Sequence, residues 1–296
     1  MTGFCVLAPL GDSIAKILSD TIPLVQLLVV RFGVQAALLV PLVLAAGGSL
    51  ILPRRILALT VLRTVIHIVG IGAMFAALRH LPLADAIAIA FVMPFMMLLL
   101  GKFVLGEQVG PHRLMACAVG FLGTLLVLQP NYAAVGAPAL LPLGVALAFA
   151  LFMLVTRQVA KEADPVALQA VSGLVATAML LLALLLDAGA GGAALAFVAP
   201  GGFEWMLLAA VGAIGTLAHL LMTWALRLAP SATLAPMQYL EIPFATLIGW
   251  TIFRDLPGSW AAFGIVLTIS AGLYVIHRER IAARNPPAAL QGLPEA

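Results

Sequence analysis

The carboxyl group of Glu241 lies in the middle of a long apolar stretch in the last quarter of the chain. It is ten residues into that stretch, which corresponds to about 15 Å of helix. A charged group at the centre of a bilayer costs on the order of 2.5–3.5 kcal/mol, so it usually has a partner or a function. Pro236 and Pro243 bracket it and loosen the helix by removing backbone donors. We interpret Glu241 as a group that exchanges a proton or holds a cationic part of a substrate; the alternative is a structural ion pair.

His219 lies at a similar depth in the preceding apolar stretch, about 12 Å from its nearer end. Antiparallel packing of the two helices would bring it level with Glu241, so the two could pair. Thr216 and Thr223 share a helical face with His219, and Trp224 is adjacent. We predict that His219 and Trp224 contribute to a substrate cavity. The alternative for the histidine is hydrogen-bonded packing.

Three other ionisable groups lie inside apolar stretches of the first half. His67, about 16 Å deep, could line the same cavity or belong to a packing seam beside the small residues 70–73. Arg31, about 12 Å into its helix, could bind an anionic group or neutralise Asp12. Asp12 and Lys16 are one helical turn apart with the acid first, which is the favourable order for an ion pair.

Aromatic and methionine side chains are candidates for the apolar wall of this site. The candidates are Phe91, Met93, Met96, Phe149, Phe152, Trp224 and Tyr239. Most such residues in membrane proteins contact lipid or pack against each other, so each alone is weak support. Tyr239 is favoured because it lies near mid-membrane. A lining that combines aromatic rings with Glu241, His219 and Arg31 would suit a zwitterionic or heteroaromatic metabolite.

The composition requires that lipid surrounds most of this chain. Hydrophobic residues make up 64% of it and charged residues 9%, with a mean hydropathy of +1.17. A soluble protein of this composition would lack polar surface. A bilayer core needs roughly 20 apolar residues per helix, and long apolar runs without strict alternation favour helices over a barrel. We predict an all-α membrane protein with ten transmembrane helices, near 3–19, 23–45, 56–77, 84–104, 112–129, 139–158, 165–187, 203–226, 232–253 and 259–277.

The two halves of the chain resemble each other. Residues 78–128 match 226–276 without a gap, at an offset of 148 residues. We therefore predict one five-helix repeat over residues 1–130 and a second over 139–277, followed by a disordered cytoplasmic tail at 278–296. Because five is an odd number of crossings, the second repeat must be inverted relative to the first, as in many secondary transporters.

The distribution of lysine and arginine predicts the orientation. One side has Arg54, Arg55, Lys102, Arg113, Arg157, Lys161, Arg227, Arg278, Arg280 and Arg284, and the other has mainly Lys16, Arg79 and Arg254. Basic loops stay in the cytoplasm. We therefore expect a multi-pass protein of the bacterial inner membrane with both termini in the cytoplasm. The net charge of +3 reflects this bias and indicates no nucleic-acid partner.

Several motifs resemble the drug/metabolite transporter superfamily, in its ten-helix EamA branch. They are Ala8-(x)3-Asp12-Ser13-x-Ala15-Lys16, Arg31-Phe32, the run from Ala76 to Ala86, Gly106-Glu107, Gly123, and the run from Gln238 to Pro243 leading to Phe253-Arg254-Asp255. The resemblance implies two EamA modules around a central substrate cavity and the transport of small organic solutes. Riboflavin, S-adenosylmethionine, and amino acids and their derivatives are the substrate candidates that it implies.

We therefore expect a secondary transporter that works by alternating access. The chain has no phosphate-binding loop for ATP, so a gradient of solute or protons must drive it. An intramembrane enzyme or a channel is the alternative, but the catalytic motifs and charge rings that these need are absent from the sequence. We expect no cofactor, no catalytic residue and no metal site. The expected partners are a small-molecule solute and the bilayer; one chain makes a complete unit, and a homodimer is also compatible with the sequence.

Overall fold

The computed structural model describes residues 1–105, 110–189, 197–229 and 234–284. These residues form helices and connecting loops, with no β-strand among them. The helices are α1 (Thr2–Leu18), α2 (Leu24–Ala45), α3 (Arg54–Leu78), α4 (Leu83–Ala90), α5 (Met93–Leu105), α6 (Pro111–Val135), α7 (Leu141–Val159), α8 (Pro165–Gly189), α9 (Gly202–Leu228), α10 (Glu241–Ile248) and α11 (Ser259–Arg284). Short 3₁₀ turns precede α7 (Ala137–Leu140) and α10 (Ala235–Leu240), and a π-helical turn (Gly249–Phe253) follows α10.

Seven helical segments in the described part of the chain are long and apolar enough to cross a membrane. They are Leu24–Ala45, Arg54–Leu78, Leu83–Val104, Leu114–Val135, Ala137–Val159, Pro165–Leu186 and Gly202–Leu228. The other three stretches predicted from the sequence are shorter or interrupted. Helix α1 has 17 residues, the apolar part of α11 spans Ser259–Tyr274, and residues 235–253 are divided between the 3₁₀ turn, α10 and the π-helical turn. The protein is therefore an all-helical, multi-pass membrane protein.

Two of the helices predicted from the sequence are divided into shorter segments. Helix α4 ends at Ala90, and the chain resumes as α5 at Met93. In the second half, the 3₁₀ turn ends at Leu240 and α10 begins at Glu241, which is 148 residues after Met93. Pro94 is the second residue of α5, where a proline interrupts no helical hydrogen bond. Both predicted helices, near 84–104 and 232–253, therefore change geometry partway along their length.

Helices from the first half pack mainly against helices from the second. Helix α1 packs against α9, α2 against α8, α3 against α7, α4 against α10, and α6 against α11. Helices α6 and α11 approach each other closely because glycines meet there. A Cβ atom placed on Gly264 would lie 2.5 Å from the carbonyl oxygen of Gly123, so neither position has room for a side chain. The two halves therefore form one helical body.

The predicted Asp12–Lys16 ion pair is not formed. The Lys16 ammonium instead lies 3.4 Å from the carboxylate of Asp255 and donates a hydrogen bond to the carbonyl of Leu81 at 3.1 Å. It also lies 4.8 Å from the ring centre of Phe253. Lys16 is in the last turn of α1, so its long side chain reaches the neighbouring loops, whereas Asp12 remains inside the bundle.

Candidate functional site

A cavity lies between the two halves and is lined by residues of both. Its wall is mainly apolar. Four phenylalanines belong to the described lining: Phe4 on α1, Phe75 on α3, Phe91 between α4 and α5, and Phe149 on α7. Rings from four different elements thus surround one space, which favours a flat or aromatic ligand.

Five polar side chains also line this cavity among the described residues: Asp12, Arg31, His219, Gln238 and Glu241. They come from α1, α2, α9, the 3₁₀ turn and α10, so elements far apart in sequence converge on it. All but Asp12 are almost completely buried; Arg31 is 2% exposed and Glu241 8% exposed. In a mainly apolar binding site, a small number of polar groups fixes the orientation of the ligand.

Arg31 is held against the backbone of α9. A Cβ atom placed on Gly215 would lie 3.0 Å from its guanidinium, so the glycine makes room for the arginine. The guanidinium carbon also lies 4.7 Å from the ring centre of Phe32, and Asp12 is close enough to interact with it electrostatically. Its Nη1 atom has no hydrogen-bond partner among the described residues. Arg31 therefore retains a donor for an oxygen atom of a ligand.

Glu241 is the first residue of α10. Its backbone N–H donates to the carbonyls of Gln238 and Tyr239, so the 3₁₀ turn runs directly into α10. Asp12 lies within electrostatic reach of Glu241. Gln238, in the preceding turn, donates a hydrogen bond to the sulfur of Met153 at 3.0 Å, and its amide oxygen has no partner in the described part of the chain. The cavity thus has two carboxyl groups, one guanidinium and an available amide oxygen.

His219 bonds to His67 rather than to Glu241. The two Nε2 atoms are 3.2 Å apart, and both rings are buried. His219 faces the cavity, whereas His67 lies behind it and is not in the lining. Phe32, Phe149 and Phe152 surround the His67 ring, with centre-to-centre distances of 5.3, 6.0 and 4.5 Å. The histidine pair therefore lies in an aromatic shell that is open to the cavity on one side.

A second buried arginine, Arg63, was not selected as a candidate from the sequence. It is completely buried on α3 and donates hydrogen bonds to Thr156 and Ser172, both at 3.2 Å. Its guanidinium carbon is 4.8 Å from the ring centre of Phe152. In the sequence, Arg63 follows Arg54 and Arg55 at the start of α3, and it therefore resembles one more of the basic residues near the cytoplasmic end of that helix. Its spacing of one helical turn from His67 was the feature that could have identified it.

Tyr239 and Trp224 occupy different environments. The Tyr239 ring is buried behind the cavity wall, 5.4 Å from the ring of Phe91. Trp224 is 40% exposed on the outside of the bundle and is not in the lining. Of the residues selected from the sequence, the cavity thus brings together Glu241, His219 and Arg31, with Phe91, Met93 and Phe149 in its apolar wall; Met96 and Phe152 are not in the lining. His67 and Tyr239 support them from behind, and Trp224 lies apart.

Comparisons with known proteins agree with this architecture. A riboflavin transporter of Rhizobium johnstonii is 32% identical over 226 residues, which cover 76% of this chain and 72% of the relative. An S-adenosylmethionine uptake transporter of Rickettsia prowazekii is 24% identical over 275 residues, covering 93% of this chain and 90% of the relative. A solved crystal structure superposes with a TM-score of 0.71 at 20% identity, over 94% of this chain and 96% of that one; this likeness shows a shared fold.

The family assignment follows from the sequence profile. The profile of the EamA-like transporter family matches residues 5–129 and 137–277, which together make up most of the chain. The similar proteins are named as transporters of small metabolites rather than as enzymes. A buried, mixed cavity inside an apolar helical bundle is the structure that such a function needs. The chain belongs to the EamA-like transporter family, and it is a secondary transporter of small metabolites.

Proposed function

We propose that this protein transports a flat heteroaromatic metabolite and that riboflavin is its substrate. The observation that carries the proposal is the cavity wall, in which the rings of Phe4, Phe75, Phe91 and Phe149 surround one space. Stacking between such rings and a planar ring system stabilises binding without requiring charge. Gln238 and Arg31 supply hydrogen-bonding groups for the carbonyl and imide edge of a flavin. The riboflavin transporter of Rhizobium johnstonii supports the choice.

S-Adenosylmethionine is the second candidate, and one observation favours it. Asp12 and Glu241 both line the cavity, and Arg31 is the one guanidinium in the described lining. Two carboxylates would attract the sulfonium and ammonium groups, while Arg31 would pair with the carboxylate of the same molecule. The uptake transporter of Rickettsia prowazekii is similar to this chain. The two candidates differ in charge, so competition between them is informative.

We propose that the chain crosses the membrane ten times, as two inverted repeats over residues 1–130 and 139–277, and that residues 278–296 form a cytoplasmic tail. The packing supports this arrangement. Helices α2 and α8, and α6 and α11, are pairs of equivalent elements, and the α1–α9 and α3–α7 pairs exchange under the repeat. Rocking of one set against the other would expose the cavity alternately to each side. The protein lies in the bacterial inner membrane with both termini in the cytoplasm.

Uptake of labelled riboflavin by a riboflavin-requiring bacterium tests this function. Expression of the protein should allow growth at a vitamin concentration that does not support the empty-vector strain. Uptake should saturate, and excess unlabelled riboflavin should compete more strongly than S-adenosylmethionine. Stronger competition by S-adenosylmethionine would favour the second candidate. No uptake of either compound, and no faster efflux from preloaded cells, would exclude both substrates.

Replacement of Glu241 by Gln tests whether this cavity is the transport site. The substitution removes the charge and keeps the size, so uptake should fall at least tenfold while the protein is still inserted in the membrane. Glu162→Gln is the matched control, because Glu162 is exposed and pairs with Arg55 at 2.9 Å on the surface. An E241Q variant with unchanged uptake would place the transport site elsewhere.

A further inference from the structure

We propose that His67 and His219 together hold the coupling proton of this transporter. This inference rests on the proposed function and extends it from substrate to driving ion. The main observation behind it is the 3.2 Å contact between the two Nε2 atoms, which lies in the interior of the bundle and next to the cavity. Ionisable groups that are buried in membrane-spanning bundles commonly form proton relays.

A hydrogen bond between two Nε2 atoms determines which nitrogen of each neutral ring carries the proton. One ring must carry its proton on Nε2 and donate it, and the other must carry its proton on Nδ1 and accept. Neither Nδ1 atom has a hydrogen-bond partner among the described residues, although buried polar groups are normally paired. The donor ring therefore keeps a lone pair on Nδ1 that can accept a second proton. After that step the pair has one positive charge, and its Nε2 hydrogen bond is retained and strengthened by the charge.

Burial and the surrounding cations hold such a proton loosely. Arg31 on α2 and Arg63 on α3 lie close enough to repel it. Asp12 on α1 and Glu241 on α10 line the same cavity as His219, and Cys5 on α1 interacts electrostatically with Glu241. A proton that the pair takes up is therefore easily released, as a coupling proton must be during a transport cycle.

The pair also lies at a joint between the two halves. His67 belongs to α3 and His219 to α9, which are equivalent helices of the sequence repeat. Gln169 of α8 donates a hydrogen bond at 3.0 Å to the backbone carbonyl of His219 and thereby anchors this part of α9. A change in the charge of the pair therefore acts on the contact that links the halves, and this is how proton binding would bias the alternating movement.

The two histidines have separable roles in this proposal. His219 lines the cavity and can contact the substrate, whereas His67 lies behind it. Protons reach His67 from the cavity through His219. A substitution of His67 should therefore affect coupling more than substrate affinity, while a substitution of His219 should affect both.

Purified protein in liposomes tests this inference. With the membrane potential clamped at zero and one pH unit across the membrane, a transporter that moves one proton with each neutral riboflavin reaches about tenfold accumulation. Counterflow exchange of riboflavin without any gradient measures transport alone. Glutamine keeps a donor near the Nε2 position but cannot titrate, so His67→Gln and His219→Gln retain a hydrogen bond and lose the proton site. His80→Gln is the matched control, because His80 is exposed in a loop.

We expect both glutamine variants to exchange riboflavin more slowly than wild type and to accumulate it to a ratio of about one. The KM for exchange should rise in H219Q and change less than twofold in H67Q. The H80Q control should accumulate as wild type does. Accumulation of about tenfold by the H67Q variant would overturn the proposal. So would a wild-type protein that exchanges riboflavin but does not accumulate it in the pH gradient.

Absent counterflow in wild type would show that the proposed substrate is wrong, and a second measurement then decides on the proton site. Nitrogen-15 NMR of histidine-labelled protein, with His80, His112 and His277 replaced, reports the two rings directly. The pair should show one Nε2–H and one Nδ1–H tautomer at pH 7 and gain one proton on acidification to pH 5. Two rings that remain neutral at pH 5 would overturn the inference without any reference to substrate.

Discussion

Phe91 and Tyr239, which are 148 residues apart in the sequence, pack against each other with ring centres 5.4 Å apart. Phe91 lines the cavity, and Tyr239 supports it from behind. Phe91 lies between α4 and α5, and Tyr239 lies in the 3₁₀ turn that leads into α10. One aromatic contact at the cavity wall thus joins these two segments.

This contact should contribute measurably to stability. Aromatic pairs are worth about 0.5–1.5 kcal/mol beyond their burial. In a double-mutant cycle of Phe91→Leu and Tyr239→Leu, followed by thermal unfolding in detergent, the two free-energy changes should therefore be non-additive by about that amount. A parallel cycle of Phe91→Leu with Trp224→Leu should be additive, because Trp224 is exposed. Additivity in both cycles would contradict a structural role of the ring pair.

The close approach of α6 and α11 leads to a second prediction. A methyl group at position 264 would lie 2.5 Å from the carbonyl oxygen of Gly123, so Gly264→Ala must separate the helices. We expect a loss of about 1–3 kcal/mol in the free energy of unfolding, visible as a lower melting temperature. Gly144→Ala is the matched control in α7, since nothing lies within 4 Å of its new methyl group. Equal stability of the two variants would show that α6 and α11 are farther apart.

The depth of a residue in an apolar stretch selected three of the residues that line the cavity, and also His67, which lies behind it. Arg31, His219 and Glu241 were selected because a charged or polar group at mid-membrane needs a partner or a function, and the structure places all three around one cavity. Trp224 was selected because it follows Thr223. Consecutive helical residues point about 100° apart, so a neighbour of the polar face lies off that face, and Trp224 is directed outwards.

The side-chain contacts between helices could not be predicted from the sequence. The spacing of Asp12 and Lys16 is favourable within one helix, but Lys16 pairs with Asp255, 239 residues away. His219 bonds to His67, 152 residues away, rather than to Glu241. Such partners depend on the rotation of each helix about its axis. A single sequence gives the depth of a residue but leaves that rotation open.

The predicted topology leads to a labelling experiment. A variant with Cys5 and Cys117 replaced by alanine, and with one new cysteine at Ala134 or Asn285, reports the side of each position. Ten crossings with cytoplasmic termini place residue 134 outside and residue 285 inside; residue 285 is beyond the described part of the chain. A membrane-impermeant maleimide added to intact cells should therefore label the first variant, and the second only after lysis. Labelling of both in intact cells would exclude the ten-crossing arrangement.

The contact between Gly215 and Arg31 predicts a change in affinity rather than in folding. A methyl group at position 215 would lie 3.0 Å from the Arg31 guanidinium, which is the flexible end of a side chain and can move into the cavity. Gly215→Ala should therefore raise the KM for transport several-fold and leave the melting temperature within about 2 °C of wild type, since a displaced side chain costs little stability. Gly33→Ala is the matched control, because its methyl group would meet only Thr177 at 4.0 Å. Arg31→Lys should give the larger defect, since an ammonium group cannot reproduce the planar donors of the guanidinium. A G215A variant with wild-type KM, measured beside a defective R31K variant, would show that the position of the guanidinium does not control binding.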